Sequence, residues 1–252
     1  MEKGDAAMRE IYFATVAIEK NRWTPGKIPT IQAGDFIACA EADGFDGIEL
    51  WENHFLMASL EEKERIVQSG KVKIYNSYLS LAEDGGDVTP VVEAIWALKP
   101  QGVKYNFAHG GDVMEQKKRL LQFADRLPEG TRLLCECHAG TLLEDPVLAG
   151  EVFKDLDRRF GAILHLSAEP DMIARCFENY GDRICHIHAQ NRVGNAYAFF
   201  DAHEERLGGA WKQMRQLGFD GTVSVEFTVD EASAQATYRN ACRDLAWLRT
   251  LK

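Results

Sequence analysis

Short runs rich in Val, Ile, Leu, Tyr and Phe alternate along this chain with longer segments in which apolar residues recur at helical spacing. The apolar runs fall at 11–18, 47–51, 72–76, 103–107, 132–137, 161–166, 183–188 and 222–227. Their lengths and near-continuous hydrophobicity predict strands buried on both faces, as in a parallel sheet. The amphipathic segments predict helices over 30–42, 60–69, 88–98, 114–126, 147–158, 171–179, 202–217 and 233–251. Thr30 after Pro29 and Asp171 after Pro170 are the expected caps of the first and sixth helices. Gly44 and Gly218 stand just past helix ends, where a left-handed residue is favoured.

Eight strands alternating with eight helices predict an α/β protein with a single (β/α)8 TIM barrel. An open doubly wound sheet is the competitor, but it usually carries a Gly-rich phosphate turn after its first strand. Here that place reads Glu19-Lys20-Asn21-Arg22-Trp23-Thr24-Pro25. No Pro/Gly/Ser-rich linker divides the chain, so 1–252 is expected to be one barrel domain, with 1–9 a disordered or extended tail. Gly44-Phe45-Asp46-Gly47 and Gly218-Phe219-Asp220-Gly221 are near-identical turns, each leading into a strand that ends in Glu.

Composition narrows the partners. The 252 residues are 46% hydrophobic and 27% charged, which is ordinary for a soluble globular protein. The net charge of −10 argues against nucleic acid and against an anionic membrane surface. The largest basic run, Lys117-Lys118-Arg119, reads as the solvated face of a helix. No apolar run reaches the ~18 residues of a membrane span, and residues 1–10 carry no signal-peptide core, so a cytoplasmic protein is expected. Its six cysteines are then expected to be reduced. Cys135, Cys137 and Cys185 read as small buried hydrophobes in strands, and Cys39, Cys176 and Cys242 fall on helices. The Cys135-x-Cys137 spacing does not fit a CxxC zinc or redox motif.

The chemistry concentrates at strand ends. Four apolar runs finish on ligating or acid–base residues: Glu136-Cys137-His138, His165, His186-Ile187-His188 and Glu226. Parallel strands in a barrel bring these ends to one mouth, where two carboxylates and several imidazoles suit a divalent metal and proton transfer. Residues two apart share a face of a strand. Glu136 and His138 are therefore expected to point into the mouth, with Cys135 and Cys137 facing out. Glu49 and Trp51 share a face, as do His186 and His188. His188, nearer the strand end, is the expected ligand, and His186 is expected to support it, contact substrate or pack one layer lower. His54 and His109 follow strands two and four, on the mouth side, and are candidate substrate contacts. His203, opening a helix with Glu204 and Glu205, reads as a surface residue.

These residues also bring a family into view. The chain resembles the xylose isomerase-like TIM barrels, in particular the sugar phosphate isomerase/epimerase group. The resemblance rests on Gly44-Phe45-Asp46-Gly47-Ile48-Glu49-Leu50, Glu136-Cys137-His138, His188-Ala189-Gln190-Asn191 and Gly218-Phe219-Asp220-Gly221-Thr222-Val223-Ser224-Val225-Glu226, and runs from about residue 10 to 250. It implies one divalent metal held by Glu, Asp, His and Glu on strands five to eight. Carried over, these are Glu136, His188 and Glu226, with His165 where the family has Asp and Ala168 where it has a following His. Gln190-Asn191 stands where the family often has Lys-Asp. The Glu136/His165/His188/Glu226 set suits Mn²⁺, Zn²⁺, Fe²⁺ or Co²⁺ better than Mg²⁺.

The resemblance implies an isomerase or epimerase acting on a sugar or keto-polyol, with Glu136 and Glu226 exchanging protons beside a carbonyl. Glu49, Trp51, His54, His109, His138, His186 and Arg192 are the expected substrate contacts. A lyase or dehydratase acting on a keto-sugar or inositol derivative would use the same groups. A non-catalytic sugar-binding barrel is the reading if His165 marks loss of the metal, and an endonuclease branch is disfavoured by the acidic charge. Arg192-Val193-Gly194-Asn195 is a candidate for phosphate, and exposed aromatics such as Phe199 and Phe200 are candidates for a homodimer surface.

Overall fold

The computed structural model describes residues 10–251, so the expected tail over 1–9 lies outside the described residues. Eight parallel strands close into a barrel in the order β1-β10-β7-β6-β5-β4-β3-β2. They are β1 (Ile11–Ala14), β2 (Gly47–Trp51), β3 (Val72–Asn76), β4 (Gly102–Tyr105), β5 (Arg132–Glu136), β6 (Phe160–His165), β7 (Ile184–Ala189) and β10 (Thr222–Val225). Between β7 and β10 the chain inserts a small antiparallel hairpin, β8 (Arg192–Val193) and β9 (Ala196–Tyr197).

The eight expected helices form as α1 (Ala33–Ala42), α3 (Leu60–Ser69), α4 (Thr89–Leu98), α5 (Val113–Ala124), α6 (Pro146–Lys154), α7 (Pro170–Tyr180), α8 (Glu204–Gln216) and α9 (Ala234–Leu248). A short additional helix, α2 (Asn53–Leu56), follows β2. Gly44 and Gly218 adopt φ of +94° and +98°, the left-handed turns anticipated for those positions.

Three local expectations are corrected. Strand β1 stops at Ala14, and Thr15–Ile18 turn into a 3-10 helix. The Thr15 hydroxyl there accepts from the Trp51 backbone N–H at 2.9 Å and bonds the His54 ring, so the chain is tied to β2 and α2 beyond the sheet. Thr30 does not cap α1, because its amide and hydroxyl both donate to the Glu19 carboxylate at 2.9 and 2.8 Å. The helix begins three residues later, after Gln32. Asp171 does not cap α7, because Pro170 occupies its first position and Glu169 becomes the N-cap. Asp171 lies in the first turn, where the helix dipole still favours a carboxylate.

Two surface expectations also change. Lys117 is buried on α5 and pairs with Asp155 at 3.3 Å, so only part of its basic run is a solvated face. Phe200 is fully buried against Trp247, and the Arg243 guanidinium covers Phe199 at 3.9 Å, so this pair is not an exposed aromatic patch. All six cysteines are free; Cys135 and Cys176 are buried, Cys137 and Cys185 half-buried.

Side chains alternate along each strand. Val103, Tyr105, Leu133, Cys135, Ala162, Leu164, Ile187, Ala189, Val223 and Val225 point outward into one large apolar cluster shared with the helices. The inward residues form layers. Tyr12, Ile74, Leu134 and Ile163 make an apolar floor. Ala14, Val16, Trp51 and Phe227, with Tyr197 against them, make an apolar cap over the β1, β2 and β10 side of the mouth. Between floor and cap the inward positions are polar.

The floor is packed to backbone contact. A Cβ on Gly221, just before β10, would lie 2.0 Å from the Cys185 carbonyl oxygen of β7. Gly221→Ala is therefore expected to cost about 1–3 kcal/mol of stability or more, because backbone on two paired strands must move. Urea denaturation checks this, and an unchanged midpoint would show that the floor tolerates the methyl.

Candidate active site

The polar layer is built by residues at or next to the ends of neighbouring strands. Glu136 ends β5 and His165 ends β6, His188 lies one residue from the end of β7, and Glu226 follows β10 with its amide still bonded to the Ala189 carbonyl at 3.0 Å. One ligand atom from each of these four lies within 4.8 Å of the others. Glu136 Oε1 is 2.8 Å from His165 Nε2 and 3.2 Å from His188 Nδ1. His188 Nδ1 is 3.3 Å from Glu226 Oε1. Glu226 Oε2 is buried and has no hydrogen-bond partner among the described residues.

The other oxygen of Glu136 is taken from below. Lys104, on β4, reaches Glu136 Oε2 at 2.9 Å, and Asn106 donates to the same oxygen at 3.3 Å. Beyond His188, its Nε2 lies 3.2 Å from Glu49 on β2. Glu49 in turn accepts from Asn76 at 2.7 Å and lies 3.5 Å from His186 Nε2. His186 is bonded to Thr222 at 2.7 Å and to Ser224 at 3.0 Å, with its ring stacked on Tyr12.

Burial and charge compete strongly here. Burial alone would raise the Glu136 carboxyl, but Lys104, His165 and His188 outweigh it and hold it well below the usual carboxylate range. Burial likewise opposes ionisation of Glu49, and His188 and His186 reverse it. Burial would lower His188, yet Glu226, Glu49 and Glu136 raise it well above the ordinary imidazole value. Lys104 is raised as well, because Glu136, Glu226 and Glu49 overcome its desolvation.

The remaining expected site residues are placed unevenly. Glu49 and Trp51 are fully buried, so neither presents itself to a substrate at the mouth. Glu49 orients His188, and Trp51 donates to the Tyr78 hydroxyl at 2.6 Å inside the apolar cap. His186 takes the lower-layer position and is also fully buried. His54 is buried in α2, with its ring nitrogens 2.9 Å from Thr15 and 3.0 Å from Glu19. Burial would raise the Glu19 carboxyl, but His54, Asn21 and Thr30 hold it down at about 2. His54 is thus a fastener between loops and is not free to contact a ligand. His109 is exposed and bonded to the Gly140 carbonyl, which joins the loops after β4 and β5. Arg192 is exposed on the hairpin and bonded locally to the Gly194 carbonyl at 3.1 Å. His138 does reach the mouth: it is half-buried, stacked on His165, and 3.8 Å from Glu136 Oε2. His203 is exposed, as anticipated, and its ring bonds Asn191.

Lys104 is the residue that the sequence reading missed. Its signal was present: a charged side chain between Val103 and Tyr105, both of which face outward, must face the barrel interior. Asn76 and Asn106 were overlooked for the same reason.

The apolar cluster packs on the β1, β2 and β10 side, while a cavity of about 550 Å³ lies beside β5 and β6; of the polar cluster it touches His165, with His138 next to it. His138, His165, Ser167, Ala168, Met172 and Arg175 are among the residues that line it. Arg175 is paired with Asp145 at 3.1 Å.

The donor set fits a divalent cation. Two carboxylates and two imidazoles converge, and a buried carboxylate oxygen lacks a partner among the described residues. Three buried carboxylates, Glu49, Glu136 and Glu226, against one ammonium, Lys104, leave two negative charges when the histidines are neutral. Buried charge needs compensation, and one doubly charged ion supplies it.

No family model matches the chain, and no curated protein matches it in sequence. Solved structures do match its fold. Among them is 3-keto-D-glucoside 4-epimerase from E. coli, 18% identical, covering 96% of this chain and 100% of that one with a TM-score of 0.63. D-allulose 3-epimerase from Methylomonas sp. is 14% identical over 97% of this chain and 98% of that one, TM-score 0.65. Endonuclease IV from Thermus thermophilus is 14% identical over 96% and 100%, TM-score 0.62. These likenesses establish the fold, a (β/α)8 barrel. The same fold serves sugar epimerases and a nuclease, so the fold by itself does not fix the chemistry.

The Glu49–His188 contact leads to a test. Glu49→Gln is expected to weaken Mn²⁺ binding by roughly 10–100-fold, because the carboxylate orients the imidazole and raises its basicity. Calorimetric titration of metal-stripped protein measures this; equal affinity in both proteins would show that Glu49 does not act on His188.

Proposed function

We propose that this protein is a divalent-metal-dependent sugar isomerase or epimerase that moves a proton at the carbon next to a carbonyl. The observation that carries the reading is the convergence of Glu136, His165, His188 and Glu226 within 4.8 Å, with one Glu226 oxygen unpartnered among the described residues. In this reading the whole chain acts as one barrel domain, and the four residues hold the ion. When bound, the ion supplies Lewis-acid polarisation of the substrate's carbonyl and hydroxyl oxygens.

The chain's own groups do the rest. Glu226 Oε2 has no protein partner among the described residues, so it is the oxygen available to accept a proton from carbon. Glu136 and Glu226 both approach His188 Nδ1, at 3.2 and 3.3 Å. In this reading Glu136 is the second carboxylate, through which a proton is returned to the opposite face in an epimerisation or to the adjacent carbon in an isomerisation. His138, at the edge of the cavity, is the ring that can meet a substrate hydroxyl. The apolar cap excludes water from the Glu226 side and strengthens every electrostatic contact beneath it. The substrate enters through the cavity beside β5 and β6. The guanidinium that lines it, Arg175, is already paired with Asp145, which favours an uncharged sugar over a phosphorylated one.

Elemental analysis tests the reading first. The purified protein is expected to carry about one transition metal per chain, lost or strongly reduced in Glu226→Gln and His165→Ala. A wild type that takes up no Mn²⁺ or Zn²⁺ even after incubation would sink the mechanism. With metal present, free ketoses incubated in D₂O are expected to exchange the proton next to the carbonyl, read by NMR. Glu226→Gln should slow that exchange by roughly 10²–10⁴-fold.

The protonation of His188 sets a pH dependence. A bound cation would require the neutral ring, whereas Glu226, Glu49 and Glu136 hold the His188 value well above the ordinary imidazole range, so binding would release a proton. Affinity for Mn²⁺ should therefore rise with pH until the raised His188 value is passed, and then level off. Calorimetry at pH 7 in two buffers of different ionisation heat reads the released proton; finding none would remove this account of His188.

A further inference from the structure

Glu136 is approached from two sides by unlike groups. Its Oε1 faces His165 and His188, at 2.8 and 3.2 Å. Its Oε2 faces the Lys104 ammonium at 2.9 Å and the Asn106 amide at 3.3 Å. Lys104 is 7% exposed, and its charge is felt by Glu226 and Glu49 as well as by Glu136. A full positive charge so close to a cation-binding cluster is a cost to that cluster, because a bound ion and the ammonium repel each other across a buried carboxylate. A structural ion pair would be better placed in the outer layer, away from the ligand atoms.

We propose that Lys104 is a charge-setting positioning residue. Its ammonium occupies Glu136 Oε2, leaves Oε1 as the oxygen turned toward His165 and His188, and cancels one of three buried carboxylate charges. The proposal rests on the divalent-metal reading of the site. Its consequence is a site that balances a divalent ion without surplus negative charge, so the ion keeps its pull on a substrate oxygen. With three uncompensated carboxylates the cluster would hold a cation more tightly and quench that pull.

The direction of the effect separates this role from a structural one. If Lys104 only braces Glu136, neutralising it loosens a ligand and weakens cation binding. If it sets the charge, neutralising it tightens cation binding, and does so more for a trivalent ion than for a divalent one, because the repulsion removed scales with the ion's charge.

The experiment is a calorimetric titration of metal-stripped protein with Mn²⁺, with Tb³⁺ luminescence in parallel. The variants are Lys104→Gln, which keeps a donor for Glu136, and Lys104→Arg, which keeps the charge. Lys104→Gln is expected to bind Mn²⁺ roughly tenfold more tightly or better, with a larger gain for Tb³⁺. Lys104→Arg is expected to stay near the wild-type values. Circular dichroism melting confirms folding, and Lys104→Met, an unbranched apolar chain of similar length, replaces Lys104→Gln if that variant does not fold. Unchanged or weaker Mn²⁺ binding by a folded neutral variant overturns the role of Lys104 and leaves the metal reading intact. Absence of divalent binding by the wild type overturns both.

Discussion

Glu136 carries the greatest share of the buried electrostatics in this barrel. A carboxylate at 5% exposure stays ionised only if its surroundings replace the water that it has lost, and here Lys104, Asn106, His165 and His188 all do so. The neighbouring groups lean on it in turn. Glu136, Glu226 and Glu49 raise Lys104 despite its burial, and Glu226, Glu49 and Glu136 raise His188 well above the ordinary imidazole value. Removing Glu136 would strand a buried ammonium and unpin two imidazoles together. For that reason the polar layer behaves as one unit, and pairwise energies within it do not add.

That unit is confined by what lies above and below it. The floor of Tyr12, Ile74, Leu134 and Ile163 fills the lower end, and the cluster of Ala14, Val16, Trp51 and Phe227 packs beside the ends of β1, β2 and β10. Polar groups are therefore concentrated in a thin slab that opens toward β5 and β6. The opening lies beside His165 and Ala168, the two positions at which this chain departs from the strand-six pattern of the family it resembles. Relative to the Asp and His that the resemblance implies there, His165 brings one negative charge less and Ala168 is a small residue in the cavity wall. Lys104 shifts the balance in the same direction. The charge of the slab is lower than a set of three anionic ligands would give, yet still matches a doubly charged ion.

Several histidines that look alike in one dimension have different roles in three. His165 and His188 meet Glu136, whereas His186 lies a layer lower on Thr222 and Ser224. His54 is consumed in holding the turn after β1 to α2 through Thr15 and Glu19. Glu49 and Trp51 share the inward face, as their two-residue spacing required, but burial turns one into a support for His188 and the other into part of the cap.

The alternation of apolar runs and amphipathic segments determined the barrel, because period-2 and period-3.6 patterns are properties of local sequence and short connections leave few ways to pack them. The ends of strands five to eight were legible for the same reason: a parallel barrel brings strand C-termini together whatever their residues. Thr30 and Asp171 were misjudged as caps because a competing partner, Glu19, and a competing residue, Pro170, decide those positions. Only the tertiary structure decided that Lys104 reaches Glu136, that Glu49 serves His188, and that a cavity lies beside His165. Those outcomes depend on layer height and on which side chain arrives from a strand distant in sequence. The inward or outward sense of a residue can be read along one strand, but its depth and its partner are set by the stagger of all eight.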